Sequence, residues 1–113
     1  MTENDREALE RDFHEAMLGL YRRAKEEVNY NATRSLGMVT ERGGLDAATA
    51  LLDAHEVSDG FTELYLRENR LDLSVEYLVL RDPWRRLFSN EQLAIDRKRL
   101  IDRRFAPPPE DGG

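Results

Sequence analysis

The chain has 113 residues, a length that suits one domain with a modest hydrophobic core. It contains no cysteine, which excludes disulfides, thiolate nucleophiles and cysteine-ligated metal sites. Acidic side chains outnumber basic ones 23 to 17, but residues 81–113 carry eight basic and six acidic groups, so any attraction to nucleic acid is expected in that last segment.

The first element is a long amphipathic helix, predicted from about Glu3 to Val28. Its apolar side chains fall within an arc of about 140° on a helical wheel, which is the pattern of a helix with one buried face. The apolar positions are Leu9, Phe13, Ala16, Met17, Leu20, Tyr21, Ala24 and Val28. We therefore expect this helix to be the spine of the domain.

A second helix is predicted from about Asn31 to Arg42, with Asn29 or Asn31 as its N-cap and Gly43 as its C-cap. Its inner stripe is predicted to contain Ala32, Leu36 and Val39, extended on one side by Ser35 and Met38.

A third helix is predicted to start at an Asp46 cap and to end near His55. Two helices joined by Gly43-Gly44 could form a DNA-reading helix-turn-helix. The second helix of that motif needs basic and polar side chains near its start, whereas "LDAATALLDAH" contains acidic residues and neither lysine nor arginine. The pair is more typical of an ordinary helical bundle.

Four further helix starts are predicted from the types of residue that cap helices. Ser58, Asp72 and Asp82 each precede a helical pattern, with Pro83 after Asp82, and Ser89 with Gln92 matches a capping box. The implied helices are about 60–68, 73–80, 83–88 and 91–105. The remaining "APPPEDGG" has no periodicity, so we expect one helical domain at 1–105 and a disordered tail at 106–113.

Together these elements predict an all-α fold, a compact bundle of five or six short helices around the long N-terminal helix. The predicted core consists of Leu9, Phe13, Leu20, Leu36, Val39, Leu51, Phe61, Leu64, Val75, Leu78, Leu87, Leu93 and Leu100.

Candidate binding residues lie in the basic last third of the chain. Tryptophan and arginine are frequent at interaction hot spots, and "DPWRRLF" contains the only tryptophan beside two arginines. Arg97 and Arg104 share a helical arc with leucines, so their stems are expected to cover the core while their charged ends stay in water. The candidate binding residues are therefore Trp84, Arg85, Arg86, Arg99 and Arg103.

No pattern in the sequence indicates an enzyme. His14 and His55 are the only histidines, and neither has a spacing that holds zinc or orients a nucleophile. Glycines do not form a phosphate-binding loop. We therefore predict no catalytic residue, no metal site, no cofactor and no small-molecule substrate.

The favoured function is a non-enzymatic protein-interaction module whose partner is another protein or a second copy of the chain. The alternative is an accessory domain that touches nucleic acid through its arginine-rich C-terminal helix, which the net charge of −6 makes less favourable. The acidic start "MTENDREALERD" and the lack of a long apolar run predict a cytoplasmic location and no membrane partner.

The stretches "FHEAMLGLYRRAKEEVNYNATRSLGMVTERGGLDAATALL", "SDGFTELYLRENRLDLSVEYLVL" and "LFSNEQL" resemble a widespread family of small bacterial helical proteins over about residues 13–100. That family has no assigned activity, so the resemblance implies a bacterial origin and a helical fold but no mechanism. Ser35 stands where the family favours an aromatic residue and Tyr65 where it favours tryptophan. We expect Ser35 to be an under-filled interior position at which an aromatic replacement is tolerated.

Overall fold

The computed structural model describes residues 2–109, which form six α-helices and two 3₁₀ turns without any strand. The predicted all-α fold with a long N-terminal helix is confirmed. Within this range no helix is both long and apolar enough to cross a bilayer. The elements in chain order are α1 Glu3–Val28, α2 Thr33–Arg42, α3 Gly44–Asp53, α4 Asp59–Leu66, the 3₁₀ turn Leu71–Leu73, α5 Val75–Val79, the 3₁₀ turn Trp84–Leu87 and α6 Asn90–Asp102.

Helix α1 is the spine because one stripe of its side chains is buried along most of its length. Phe13, Met17, Leu20 and Ala24 recur at spacings of three and four and are at most 5% exposed. A capping box at Thr2 opens the helix, and Asn29 ends it in the left-handed conformation at φ 55°.

A two-glycine elbow joins α2 to α3 and brings α3 against α1. Gly43 has φ 87°, which favours glycine, and it both ends α2 and precedes α3. A Cβ on Gly44 would lie 2.7 Å from the Cα of His14, so only glycine allows this approach of the two backbones. The Gly44 N–H donates to His14 Nδ1 at 2.9 Å.

The predicted starts of α2 and α3 are wrong. Helix α2 has Ala32 at its N-cap with no side-chain cap, because Asn29 ends α1 instead. Helix α3 begins two residues before Asp46, because Gly43 is shared by both helices and leaves no linker. Asp46 lies in the first turn of α3, where a negative charge complements the helix dipole.

Two of the four predicted later caps are confirmed. Ser58 accepts a hydrogen bond from the Phe61 N–H at 3.1 Å and opens α4. Ser89 and Gln92 form the expected reciprocal capping box at the start of α6, with distances of 2.9 and 3.1 Å.

The predicted caps Asp72 and Asp82 are wrong, because arginines bind both carboxylates. Arg70 binds Asp72 at 3.0 Å, and Arg85 binds Asp82 at 3.1 Å. Ser74 caps α5 instead, by accepting from the Tyr77 N–H at 3.1 Å.

Two predicted helices are shorter than expected. In segment 73–80 the helix is only the five-residue α5, because Leu73 ends the 3₁₀ turn Leu71–Leu73 and Ser74 separates that turn from α5. The Ser74 hydroxyl also donates to the Leu71 carbonyl at 2.6 Å. Segment 83–88 is the 3₁₀ turn Trp84–Leu87, which follows a cis Asp82–Pro83 peptide bond.

Most of the predicted core is inside. Nine of its members are buried, and Leu9, Leu51 and Leu93 are partly buried against them. Leu36 is the error, at 39% exposed, because α2 turns Ala32 and Val39 inward instead. The nine buried members are Phe13, Leu20, Val39, Phe61, Leu64, Val75, Leu78, Leu87 and Leu100.

The segment after α6 folds back on the domain. The Phe105 ring meets the Tyr77 ring edge-on with centroids 5.8 Å apart, and Pro108 is buried. Residues 106–109 have no helix or strand, and the disordered tail stays a prediction. Residues 110–113, the rest of the predicted tail, lie outside the described range.

Candidate functional site

The last third of the chain forms an open groove between the 3₁₀ turn Trp84–Leu87 and α6. Its volume is about 590 Å³, within the range of binding clefts. Three of its lining residues are arginines and none is acidic. We call it the arginine groove, and its lining consists of Leu80, Arg85, Arg86, Phe88, Asn90, Leu93, Ala94 and Arg97.

The floor of the arginine groove is apolar and fixed by the core. Leu80 and Phe88 are 3% and 8% exposed. The Phe88 ring meets Phe13 of α1 edge-on with centroids 5.5 Å apart. Trp84 packs on the other side, with its ring centroid 5.8 Å from that of Phe13. Trp84 therefore anchors the turn to the core, and its ring is half-buried.

Three guanidinium groups stand over this floor. Arg85 Nε lies 3.1 Å from Asp82 Oδ1, which directs the arginine across the turn. Arg86 is exposed. Arg97, expected only to cover apolar surface, also lines the groove from α6. The groove thus combines the predicted binding residues Arg85 and Arg86 with Arg97, whose stem was expected to cover the core while its charged end stays in water.

Arg99, a predicted binding residue, lies elsewhere and is occupied by internal contacts. Its Nη1 and Nη2 donate to the carbonyls of Leu51 and Ala54 at 3.2 and 2.7 Å. Its Nη1 also lies 3.5 Å from the carboxylate of Glu76, and its side chain is 11% exposed. Arg99 therefore ties α6 to the end of α3 and to α5.

Arg103, the other predicted binding residue of α6, is also outside the groove lining. Its guanidinium stacks over the Tyr65 ring, with the central carbon 5.3 Å from the ring centroid. Arg104 follows with φ 58° and is exposed, and the expected covering of apolar surface by its stem stays a prediction.

The sequence analysis missed a pair of buried carboxyl groups. Glu76 on α5 and Asp96 on α6 are 2% and 0% exposed. Within residues 2–109, Glu76 Oε2 and both Asp96 oxygens accept no hydrogen bond. The 3.5 Å contact from Arg99 to Glu76 is thus an ion pair without a hydrogen bond.

Burial controls the ionisation of both carboxyls. Removal from water raises the pKa of Asp96 to about 9, the charge of Glu76 adds to the rise, and Arg99 opposes it. Burial likewise raises the pKa of Glu76, and its own backbone N–H and Arg99 oppose that rise. Two carboxyls share one guanidinium, so a proton on Asp96 restores the charge balance.

One signal for Asp96 was present in the sequence. It stands three residues after Leu93 and four before Leu100, which is the spacing of a helix's inner stripe. Glu76 has a similar signal, since it interrupts the apolar run "LSVEYLVL". Aspartate and glutamate are rarely buried without a partner, so their residue type alone favours solvent exposure for both.

A small cavity lies between α1, α2, α4 and α5, with a volume of about 20 Å³, enough for about one water-sized group. Tyr21, Ser35, Ser74 and Glu76 line its polar side. Burial raises the pKa of Tyr21 above its usual range. Ser35 is half-buried, so its predicted interior position is confirmed only in part. The cavity beside it is far smaller than an aromatic ring.

The two histidines are far from any nucleophile–base arrangement. His14 Nδ1 is the acceptor that opens α3, and His55 is exposed after the end of α3. Across residues 2–109 no three histidine, aspartate or glutamate side chains gather closely enough to hold a metal ion.

Comparisons with protein-family models, with curated proteins and with solved structures found no match to this chain.

Proposed function

We propose that this protein is a non-enzymatic protein-interaction module of the bacterial cytosol and that it holds its partner in the arginine groove. The observation that carries the proposal is a groove of about 590 Å³, lined by the exposed Arg86 and Ala94 and the half-buried Leu93. Arginine beside apolar side chains is typical of interaction hot spots.

The rigidity of the groove supports the same function. Phe13 of α1 holds Phe88 of the floor and Trp84 of the adjoining turn through ring contacts. A preformed site loses little conformational entropy when a partner binds, so more of the contact energy remains as affinity.

Nucleic acid is the weaker alternative. Arg99 and Arg103 are committed to internal contacts, and Lys98 pairs with Asp102 at 2.9 Å. Helix α6 therefore offers few guanidinium groups that could track a phosphate backbone, and the net charge of −6 repels polyanions at long range.

A steric block of the groove tests the proposed function. Ala94 is exposed and lines the groove, so Ala94→Trp fills it without disturbing the core. Thr62→Trp, on the exposed face of α4, is the matched control. Immobilised wild-type and Thr62→Trp chains should retain the same protein from a source-cell extract, and Ala94→Trp should lose it.

The same variants also test whether the protein associates with itself. Sedimentation velocity over a concentration series shows whether the partner is a second copy, in which case Ala94→Trp alone stays monomeric. Retention of every captured protein and every oligomer by Ala94→Trp contradicts the proposed function, provided that thermal unfolding by circular dichroism shows all three chains folded.

A further inference from the structure

We infer that two buried carboxyl groups, Glu76 of α5 and Asp96 of α6, hold one proton between them and that this proton keeps α6 on the domain. When the proton is released, α6 detaches while α1, α2 and α3 stay packed. Glu76 and Asp96, which we call the carboxyl pair, are 2% and 0% exposed. They lie on two helices that pack against each other.

The carboxyl pair shares a single cation. Arg99 is the positive group that acts on both carboxyls, and its Nη1 lies 3.5 Å from Glu76 Oε2. If both carboxyls were ionised, one negative charge would remain unbalanced in the interior, which is strongly unfavourable. A proton on the carboxyl pair removes this imbalance.

Hydrogen bonding indicates the same proton. Within residues 2–109, both oxygens of Asp96 and Oε2 of Glu76 accept no hydrogen bond, which is costly for buried carboxylates. A protonated Asp96 has an O–H donor, and Glu76 Oε2 is an acceptor of the kind that this donor requires. Burial also raises the pKa of Asp96 to about 9, so the proton is bound at neutral pH.

The charged groups of the surrounding elements are engaged elsewhere or stay neutral. Tyr21 of α1 lines the small cavity with Glu76, and burial raises the pKa of Tyr21 above its usual range. On α3, Asp53 is exposed and accepts from Gln92 Nε2 at 3.3 Å. The adjoining turns and α6 also contain the ion pairs Arg70–Asp72, Arg85–Asp82 and Lys98–Asp102.

Helix α6 is the element that loss of the proton would move. It packs mainly on α5 and α3, and Arg99 ties it to both through Glu76 and the carbonyls of Leu51 and Ala54. Detachment returns the charges of Asp96 and Arg99 to water. The packing among α1, α2 and α3 does not involve α6, so it can persist. The last helix of the described chain can therefore leave as a unit.

The two states of Asp96 determine the pH range of this release. The pKa of Asp96 is 3.8 when the carboxyl is exposed and about 9 when it is buried. The stabilisation that depends on its proton is complete below the lower value and is lost as pH rises to the upper one. Between these values, each pH unit should raise the equilibrium constant for detachment about tenfold.

Detachment would also divide the arginine groove. Leu93, Ala94 and Arg97 of its lining lie on α6, so a partner held there should be released as pH rises. This consequence rests on the proposed function, whereas the bound proton and the detachment do not. The two experiments that follow use the chain alone, so their outcome is independent of whether the groove binds a partner.

Carboxyl-carbon chemical shifts, measured by NMR in a pH titration of the full-length chain, test the proton. The shifts of Glu76 and Asp96 together should report one bound proton at neutral pH and its loss near pH 9. In Asp96→Asn or Glu76→Gln the remaining carboxyl should be ionised at neutral pH, because Arg99 alone balances it. Asp102→Asn removes an exposed carboxyl from the same helix and is the matched control, which should keep the proton. Two ionised carboxylates at neutral pH in wild type overturn the inference.

Hydrogen exchange of backbone amides tests the detachment. After correction for the base catalysis of exchange itself, the protection of α6 in wild type and Asp102→Asn should fall about tenfold per pH unit from neutral pH to about 9. It should be nearly constant in Asp96→Asn and Glu76→Gln. Low urea concentrations should accelerate exchange in α1 more steeply than in α6, because α1 exchanges by global unfolding. Equal protection and equal urea dependence of the two helices, or a pH response of α6 that persists in both amide variants, overturn the inference.

Discussion

At Gly44 the backbone of α3 lies against that of α1 with no space for a side chain. A Cβ there would be 2.7 Å from His14 Cα, so Gly44→Ala must push the two helices apart. We expect a loss of about 1–3 kcal/mol in the free energy of unfolding, measured by urea denaturation. Gly37→Ala is the control, since a Cβ at Gly37 meets nothing within 4 Å.

Alanine has the higher helix propensity, so Gly37→Ala should stabilise the protein by about 0.5–1 kcal/mol. Equal effects of the two substitutions would show that the close approach of α1 and α3 is not maintained in solution.

At Ser35 the size of the neighbouring cavity decides which replacement fits. The cavity of about 20 Å³ accepts about one water-sized group, so Ser35→Val should raise stability by up to about 1 kcal/mol. Ser35→Phe should lower it by about 1–3 kcal/mol through overpacking, contrary to the expectation from sequence. Thermal denaturation of both variants checks the opposite signs.

Asp96 makes stability depend on pH. The carboxyl ionises near 3.8 when unfolded but near 9 in the native protein, so the native state binds more protons between these values. The free energy of unfolding should therefore fall as pH rises through that window. Urea denaturation at several pH values should show this slope, and Asp96→Asn should reduce it. An unchanged slope in Asp96→Asn would assign the effect to another group.

At the scale of the elements, Arg99 joins three helices. It donates to the carbonyls of Leu51 and Ala54 beside the end of α3 and lies 3.5 Å from Glu76 of α5. Arg99→Ala leaves these groups without their partner and should cost about 2–4 kcal/mol in urea denaturation. Lys98→Ala, which breaks an exposed pair with Asp102, should change stability by less than about 0.5 kcal/mol.

The order of the elements was predictable because periodicity and some helix caps are local features of a sequence. The α1 stripe repeats along one helix, and the caps at Ser58 and Ser89 depend on residues within one turn. The caps at Asp72 and Asp82 were wrong because the competing partners are arginines brought close by the turns. A single sequence does not reveal which of two available partners a carboxylate takes.

The candidate site was predictable only in part, for a similar reason. Trp84, Arg85 and Arg86 are adjacent in sequence and remain together, and the structure adds Arg97 to the groove. Arg99 lies outside the groove because it binds two backbone carbonyls that lie 45 and 48 residues earlier in the chain. Nothing in the sequence indicated these distant partners. Glu76 and Asp96 were missed because their burial depends on how α5 packs on α6.

For the molecule as a whole, we expect no detectable binding to unspecific DNA or RNA at micromolar protein and physiological salt. Its net charge is −6, and the basic groups of α6 are largely engaged internally. A fluorescence titration with labelled duplex DNA checks this. Micromolar binding that weakens steeply with salt would support the nucleic-acid alternative.

The reach of Arg99 back to α3 has a consequence for protein synthesis. Helix α6, which carries this arginine, leaves the ribosome after α1 to α5. The end of α3 and the Glu76 carboxyl therefore lack their contacts with Arg99 until α6 emerges. We therefore expect the packing among α1, α2 and α3 to form before α6 emerges, and the contacts of Arg99 with α3 and α5 to be added when α6 docks.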